Sequence, residues 1–559
     1  MSFWLTLVQK VLGRKATREV NRFFAAIKEP QKVQQELLFK MLKRNQYSEF
    51  GREHNFSEIQ TIEDYRKNVP ISEYDYFAPY IEKIKKGEKD ILFCDQQVLM
   101  FALTSGTSSA RKFIPVTDES VDDYRRGWSL WGLGVFYHYP HLFPKPKITM
   151  VSDHEEFLTE AGIPCGSISG LTTQMQNPFF RLTYILPPES GKIKQSDAKY
   201  YLAWRLGVGR DVGMWISPNP STHVKLARFG TEHAATLIRD VKEGTLTTEF
   251  DFPKVVRNAV RRKLKANPKR AAELEEILQK TGALRPKDVW PNLGMIGCWL
   301  GGSLQSYLQH FPDYFSEKTA IRDIGLVASE NRMTIPKEDN TPGGVLDITT
   351  AYYEFIPVDE IDSPNRTVLE CHELEVGGEY YIIMTTPNGL YRYHICDVVK
   401  CIEFFEKTPV LAFLNKGSSM SNLTGEKLSE YQVASSVSEA LRRLDLKLAG
   451  FALTPGWEGE IATYSLLVEE SDFAEPGLAE KFAEEVEAEL RKSNIEYDAK
   501  RESGRLNPVR LEFLPAGAWD EYDAQILKKR GGSAEQYKHP ALITNPAIRE
   551  DLGLAEKRD

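Results

Sequence analysis

Three short stretches of this 559-residue chain concentrate side chains that can do chemistry. Residues 102–116 read ALTSGTSSARKFIPV. Thr104, Ser105, Thr107, Ser108 and Ser109 offer hydroxyls there, Gly106 permits close approach to the backbone, and Lys112 adds a positive charge. Backbone N–H groups in such a turn can form an anion-binding nest. The pattern of a Walker phosphate loop fails, because Arg111 stands at its second glycine and Phe113 at its hydroxyl position. On this stretch alone, a phosphate cradle of another kind and a polar surface turn are both open.

The second stretch, DIGLVASENR (323–332), predicts an apolar strand that ends in Ala328, Ser329 and Glu330. A carboxylate at a strand end can hold Mg²⁺ beside phosphate oxygens, or it can be an ordinary surface glutamate. The third, PNGLYRYHICDVVK (387–400), puts Asn388-Gly389 as a hairpin signal between EYYIIMTT and LYRYHICDVV. In a regular second strand Tyr391, Tyr393, Ile395 and Asp397 share one face, and Arg392 and His394 the other. An acid in an apolar strand needs a partner when buried. Asp397 can accept hydrogen bonds from a ribose diol, or it can form a buried pair with Arg392 or another partner.

The elements that must position these residues follow from hydrophobic periodicity. Residues 17–95 alternate amphipathic helices with turns, and Gly51 suits a helix C-cap. From about 98 to 400, apolar strands such as VLMFALTS and KPKITMVS alternate with helices such as STHVKLARFGTEHAATLIRDV, which predicts α/β architecture with central sheets. WSLWGLGVFYHY (128–139) suits an acyl pocket and a buried helix equally. The basic cluster in 254–287 is followed by acidic residues and is read as a solvated helical face. The polar string NKGSSMSNLTGEK suits a hinge. The expected organisation is a large domain over 1–415, a hinge over 416–427 and a small α+β domain over 428–559.

A net charge of −8 argues against a dedicated nucleic-acid binder. Six cysteines without a C-x-x-C pair give no disulfide or zinc framework, so the chain is read as cytosolic with reduced thiols. The N-terminal MSFWLTLVQKVLGRK has one apolar helical face but is too short and too polar to span a bilayer. It lacks the charge and cleavage pattern of a secretory signal, and docking on the protein's own body is the expectation.

In order and spacing, TSGTSSARK, ASE and GLYRYHICDVV resemble the three nucleotide motifs of the Gretchen Hagen 3 family of acyl acid–amido synthetases, within the adenylate-forming superfamily. The resemblance extends to ISEYDYFAPYIEKIKKGE, PNLGMIGCWLGGSLQSY and AEQYKHP. It implies a large adenylate-forming domain and a small mobile C-terminal domain. It also implies ATP, Mg²⁺, a carboxylic acid and an amino acid as ligands.

By the same resemblance, Thr104, Ser105, Gly106, Thr107, Ser108 and Lys112 hold ATP phosphates, and Ala328 and Ser329 lie against the nucleotide. Glu330 is the magnesium-associated glutamate, Asp397 the ribose-binding aspartate, and Tyr393 belongs to the same nucleotide motif. Lys416 is the basic residue near the hinge, and Lys538 is the mobile lysine that serves adenylation. Leu326 replaces a tyrosine common in plant members, and His394 and Cys396 replace an arginine and a glycine. An acyl-CoA ligase sharing the first half-reaction, and a nucleotide-binding protein without catalysis, are the alternatives.

Overall fold

The computed structural model describes residues 18–104, 111–175, 181–302, 305–361, 363–417, 420–424, 426–458, 461–475, 477–530, 537–545, 548–552 and 554. The N-terminal segment expected to dock as a helix lies outside them. The architecture is α/β, with a separate C-terminal domain. Residues 18–26 are helical and the helix Pro30–Asn45 follows, and Gly51 is not the cap that its position suggests. It lies inside the short helix Glu49–Glu53, where a Cβ would stand 2.1 Å from the Asn45 carbonyl oxygen. Close backbone approach, rather than a left-handed turn, requires glycine there.

Three sheets build the large part. One is a four-stranded sheet that contains β1 (Val98–Thr104) and β2 (Lys112–Thr117), paired antiparallel. The second is a four-stranded parallel sheet of Lys147–Thr149, Met214–Ile216, Met295–Cys298 and Ala320–Asp323. The third has seven strands, with β3 (Glu379–Thr385), β4 (Tyr393–Phe405) and β5 (Thr408–Lys416) adjacent at its centre. Asn388-Gly389 does join β3 to β4, with Gly389 at φ +90°. Near-continuous apolar strands such as EYYIIMT are buried on both faces, as helix-covered sheets require.

Two helices frame the motifs. α1 (Tyr74–Lys85) packs against β2 and β4, and α2 (Asp118–His138) starts directly after β2 with Thr117 and Ser120 in a reciprocal capping box. WSLWGLGVFYHY therefore forms the C-terminal part of α2 and its cap.

Beyond residue 427, α3 (Glu430–Leu444) and the helix Leu478–Ser493 cover a three-stranded sheet of Phe451–Glu458, Ile461–Glu469 and Arg510–Leu514. These elements form their own core around Val437, Leu453, Leu466, Phe482 and Val486. α4 (Ala518–Arg530) follows. Met420–Ser421, within the expected hinge, form a small ladder with Leu428–Ser429 just beyond it. Among the described residues, no helix is long and apolar enough to cross a membrane.

Candidate active site

Thr104 and Lys112 face each other as the last register pair before the loop that joins β1 to β2. Ser105, Gly106, Thr107 and Ser108 lie outside the described residues. The chain leaves this loop as a strand, not as the helix that follows a Walker loop, which adds to the mismatch at Arg111 and Phe113. The Lys112 ammonium stands 5.6 Å from the centre of the Tyr74 ring, and the Tyr74 hydroxyl accepts a 2.8 Å hydrogen bond from the Phe113 N–H. The first turn of α1 thus fixes the exit arm of the loop.

The strand expected to run to Ala328-Ser329-Glu330 ends at Asp323 instead. Its chain turns at Gly325, where φ is +88° and a Cβ would stand 2.4 Å from the Thr334 carbonyl oxygen. The Asp323 carboxylate holds that corner, accepting from Gly325 N–H at 2.6 Å and Leu300 N–H at 3.1 Å. Ala328, Ser329 and Glu330 lie on the following turn, closed by Ala328 N–H donating to Asn331 O at 3.0 Å. From α2 the Tyr124 hydroxyl donates to the Ala328 carbonyl. Leu326, at the family's tyrosine position, packs against the apolar core.

The third stretch departs from a regular strand in two places. β4 begins at Tyr393 because Arg392 takes φ +48°. Further on, Ile383 pairs with His394 and Tyr381 with Val398, so Ile395, Cys396 and Asp397 oppose Ile382 alone. This bulge, with Cys396 at φ +64°, breaks the expected alternation of faces. Cys396 thus holds a left-handed turn of the kind that glycine adopts without strain.

Asp397 does not pair with Arg392. Its carboxylate meets the Lys416 ammonium, its register partner on β5. Arg392 instead pairs with the buried Glu354 at 2.7 Å and donates to the Arg66 and Val69 carbonyls.

Thr104, Lys112, Ala328, Ser329, Glu330, Tyr393 and Lys416 line one cleft of about 900 Å³, and Lys416 ties Asp397 to it. None of residues 128–139 is among its lining. Glu330 is buried, and the Tyr393 hydroxyl lies 3.4 Å from its Oε1. Burial raises the Glu330 pKa, against the pull of Lys416 and Lys112. Burial works against the Lys416 ammonium, but Asp397 outweighs it and the Lys416 pKa is raised.

Lys538 does not border the cleft directly. Its ammonium stands 4.3 Å from the Trp299 ring centre and 5.0 Å from that of Phe413. The side chain keeps solvent access, yet protein surrounds it closely enough that desolvation lowers its pKa, with Asp397 opposing and Lys416 reinforcing. Its neighbours are clamped. The Tyr537 hydroxyl donates to Asp523 of α4 at 2.9 Å, and His539 lies 2.8 Å from the same carboxylate oxygen. The Asn219 side chain donates to the Tyr537 carbonyl across the domain junction.

Glu73, Tyr381, His394 and Cys396 also line the cleft. Glu73 escaped sequence reasoning, since a lone acid before a helix has no signature. Its one signal was its place in ISEYDYFAPYIEKIKKGE. Trp299 and Phe413 belong to apolar runs in which nothing marks the residue that will face a lysine.

A model described as the GH3 family N-terminal domain matches residues 19–320, the central-domain model matches 344–416 and the C-terminal-domain model matches 431–547. The indole-3-acetic acid-amido synthetase GH3.6 of Arabidopsis thaliana is 23% identical over 93% of this chain and 90% of its own. The jasmonoyl-L-amino acid synthetase GH3.5 of Oryza sativa subsp. japonica is 24% identical over 96% of each. A solved structure, the acyl acid amido synthetase AtGH3.15 in complex with 2,4-DB, shares the fold with a TM-score of 0.83, at 21% identity and 96% coverage of both chains. With three consecutive family domains along its length, this chain belongs to the GH3 family.

Proposed function

We propose that this chain is an ATP-dependent acyl acid–amido synthetase. A carboxylate oxygen attacks the α-phosphorus of ATP, forming an acyl-adenylate and releasing pyrophosphate. An amino acid amine then attacks the acyl carbon, the amide forms, and AMP leaves with the electron pair of the broken C–O bond. The observation that carries this reading is the convergence of the three sequence motifs on one cleft of about 900 Å³, in a chain that spans all three family domains.

In this reading the β1–β2 loop, Thr104 and Lys112 grip the phosphates, Ala328 and Ser329 line the nucleotide, and Asp397 takes the ribose. Lys112, Lys416 and Lys538 are the cations that favour negative charge developing on the phosphates, which is positioning plus electrostatics. For Asp397 to accept from a ribose diol, Lys416 must share or release its carboxylate.

A magnesium ion fits beside Glu330. One buried carboxylate with no cationic side chain bonded to it among the described residues, on the wall of an open cleft, suits an ion that keeps waters and takes phosphate oxygens. When bound, Mg²⁺ would neutralise phosphate charge.

The test is acid-dependent ATP–pyrophosphate exchange over a panel of carboxylic acids, followed by addition of a mixed amino-acid pool. The expected result is exchange without an amine and amide plus AMP once amino acids are present. AMP release that requires coenzyme A, or ATP binding without exchange, overturns it.

A further inference from the structure

We propose that Glu73, His394 and Cys396 form a three-ligand site for Zn²⁺ on the wall of the cleft, and that filling it inhibits the enzyme. The three side chains bring one ligand atom each within 4.8 Å of one another. Cys396 Sγ lies 3.6 Å from His394 Nδ1, and Glu73 Oε1 lies 3.7 Å from that same nitrogen. Ligand atoms around a tetrahedral zinc, at bonds of about 2.0–2.3 Å, stand about 3.3–3.6 Å apart. The two spacings at His394 Nδ1 lie close to that range, and the Glu73–Cys396 pair, within 4.8 Å, closes to it by rotation of the exposed Glu73 side chain.

The scaffold that makes this cluster is specific to its segments. Glu73 is placed by a backbone ladder, in which Ser72 N–H donates to Arg392 O at 3.2 Å and His394 N–H donates to Ser72 O at 2.8 Å. The bulge sets Cys396 beside His394, and the Cys396 carbonyl is held by Gly417 N–H at 2.7 Å. The Tyr381 ring, 5.3 Å away between centres, supports the imidazole.

A nucleophile–base–carboxylate relay is the competing use of these residue types, and the geometry disfavours it. Such a relay needs the thiol at one ring nitrogen and the carboxylate at the other. Here both approach Nδ1, as ligands converging on one ion do. Burial also pushes the Cys396 thiol up to about 11, so it rests as the neutral thiol.

A thiolate, an imidazole and one carboxylate select a borderline-soft ion over Mg²⁺, and three protein ligands leave a fourth position open towards the cleft. Binding displaces the thiol proton to solvent. Inhibition rests on the reading of the cleft as the nucleotide site, because Cys396 adjoins Asp397. Metal binding itself does not rest on it.

The experiment titrates the chelator-treated full chain with Co²⁺ and then Zn²⁺. Expected are tetrahedral d–d bands with a thiolate charge-transfer band, displaced by one equivalent of Zn²⁺ and not by Mg²⁺. Cys396→Gly keeps the left-handed backbone, and in it the charge-transfer band disappears and zinc affinity falls by at least about 100-fold, the upper end of what losing an outer-shell partner costs. His394→Gln weakens binding comparably. Absence of the thiolate band, or unchanged zinc affinity in Cys396→Gly, overturns the site. In parallel, zinc should suppress pyrophosphate exchange by the wild type, while residual exchange by Cys396→Gly resists it. Exchange by a zinc-loaded wild type at the full rate overturns the inhibition. No exchange at all by the metal-free wild type counts against the proposed function, and the cobalt spectrum still decides the site.

Discussion

Cys396 holds a backbone conformation at φ +64° that costs an L-residue about 1–2 kcal/mol relative to glycine. Cys396→Gly relieves that cost and loses the partly buried thiol. The expected net change is a gain of up to about 1 kcal/mol in stability, read by thermal or denaturant unfolding; a loss of that size would show that thiol packing dominates.

Arg392 has the opposite balance. Its pair with Glu354 at 2.7 Å is buried on both sides, so Arg392→Ala leaves an acid in the core with Arg66 as its remaining cation. A destabilisation of about 3 kcal/mol or more is expected from urea unfolding. At this scale the sequence was legible where a residue type has few alternatives. Glu330, Tyr393 and Lys112 all reach the cleft. A paired Asp397 was legible but its partner was not: Asp397 meets Lys416 rather than Arg392 because a bulge and two left-handed residues set the register, and no periodicity reports those.

Elements carry the positioning. The strands VLMFALT and KFIPVT bring Thr104 opposite Lys112, and a short continuous apolar run was enough to anticipate the strand before the loop. The end of the strand before Ala328 was not anticipated, since the apolar run continues through Ile324, Leu326 and Val327 while Gly325 breaks the direction.

α4 positions Lys538 through Asp523, which bonds the residues on both sides of it. Asp523→Ala should therefore reduce pyrophosphate exchange at least about tenfold, as misplacing a reacting group does. Turnover of a preformed acyl-adenylate should be largely retained. Equal loss of both half-reactions would mean that Asp523 serves the domain as a whole.

The helix Pro220–Glu232 holds a titrating group, His223, buried between Trp215, Phe311 and Phe315. Desolvation lowers its pKa to about 4. The unfolded chain takes up a proton below about pH 6.5 and the folded chain does not until about 4. His223 therefore contributes stability above pH 6.5 that is lost as pH falls towards 4, about 3 kcal/mol in all. Unfolding free energies across that window should decline, and His223→Gln should flatten the decline.

Across the whole molecule, residues beyond 427 pack a core of their own, and polar bridges join them to the large part beside apolar contacts such as Tyr431 on the cluster of Ile356, Ile383 and Leu414. The polar bridges include Lys447 with Asp313 at 2.6 Å, His310 with the Leu448 carbonyl at 3.2 Å and Asn219 with the Tyr537 carbonyl. A junction of mixed polar and apolar contacts permits relative motion of the two parts, and under the proposed function such motion would place Lys538 for one half-reaction and admit an amine for the next. The division into a large α/β part and a smaller α+β part was legible from the order of helices and strands. The contacts between them were not, since Asn219 and Tyr537 are distant in sequence and unremarkable in type.

The central claim is that the cleft activates a carboxylate on ATP. The most direct measurement is carboxylate-dependent ATP–pyrophosphate exchange by the wild type beside Glu330→Ala and Asp397→Ala, each checked for native folding. Exchange by the wild type that is abolished in both folded variants is the predicted result; near-normal exchange in either variant would contradict it.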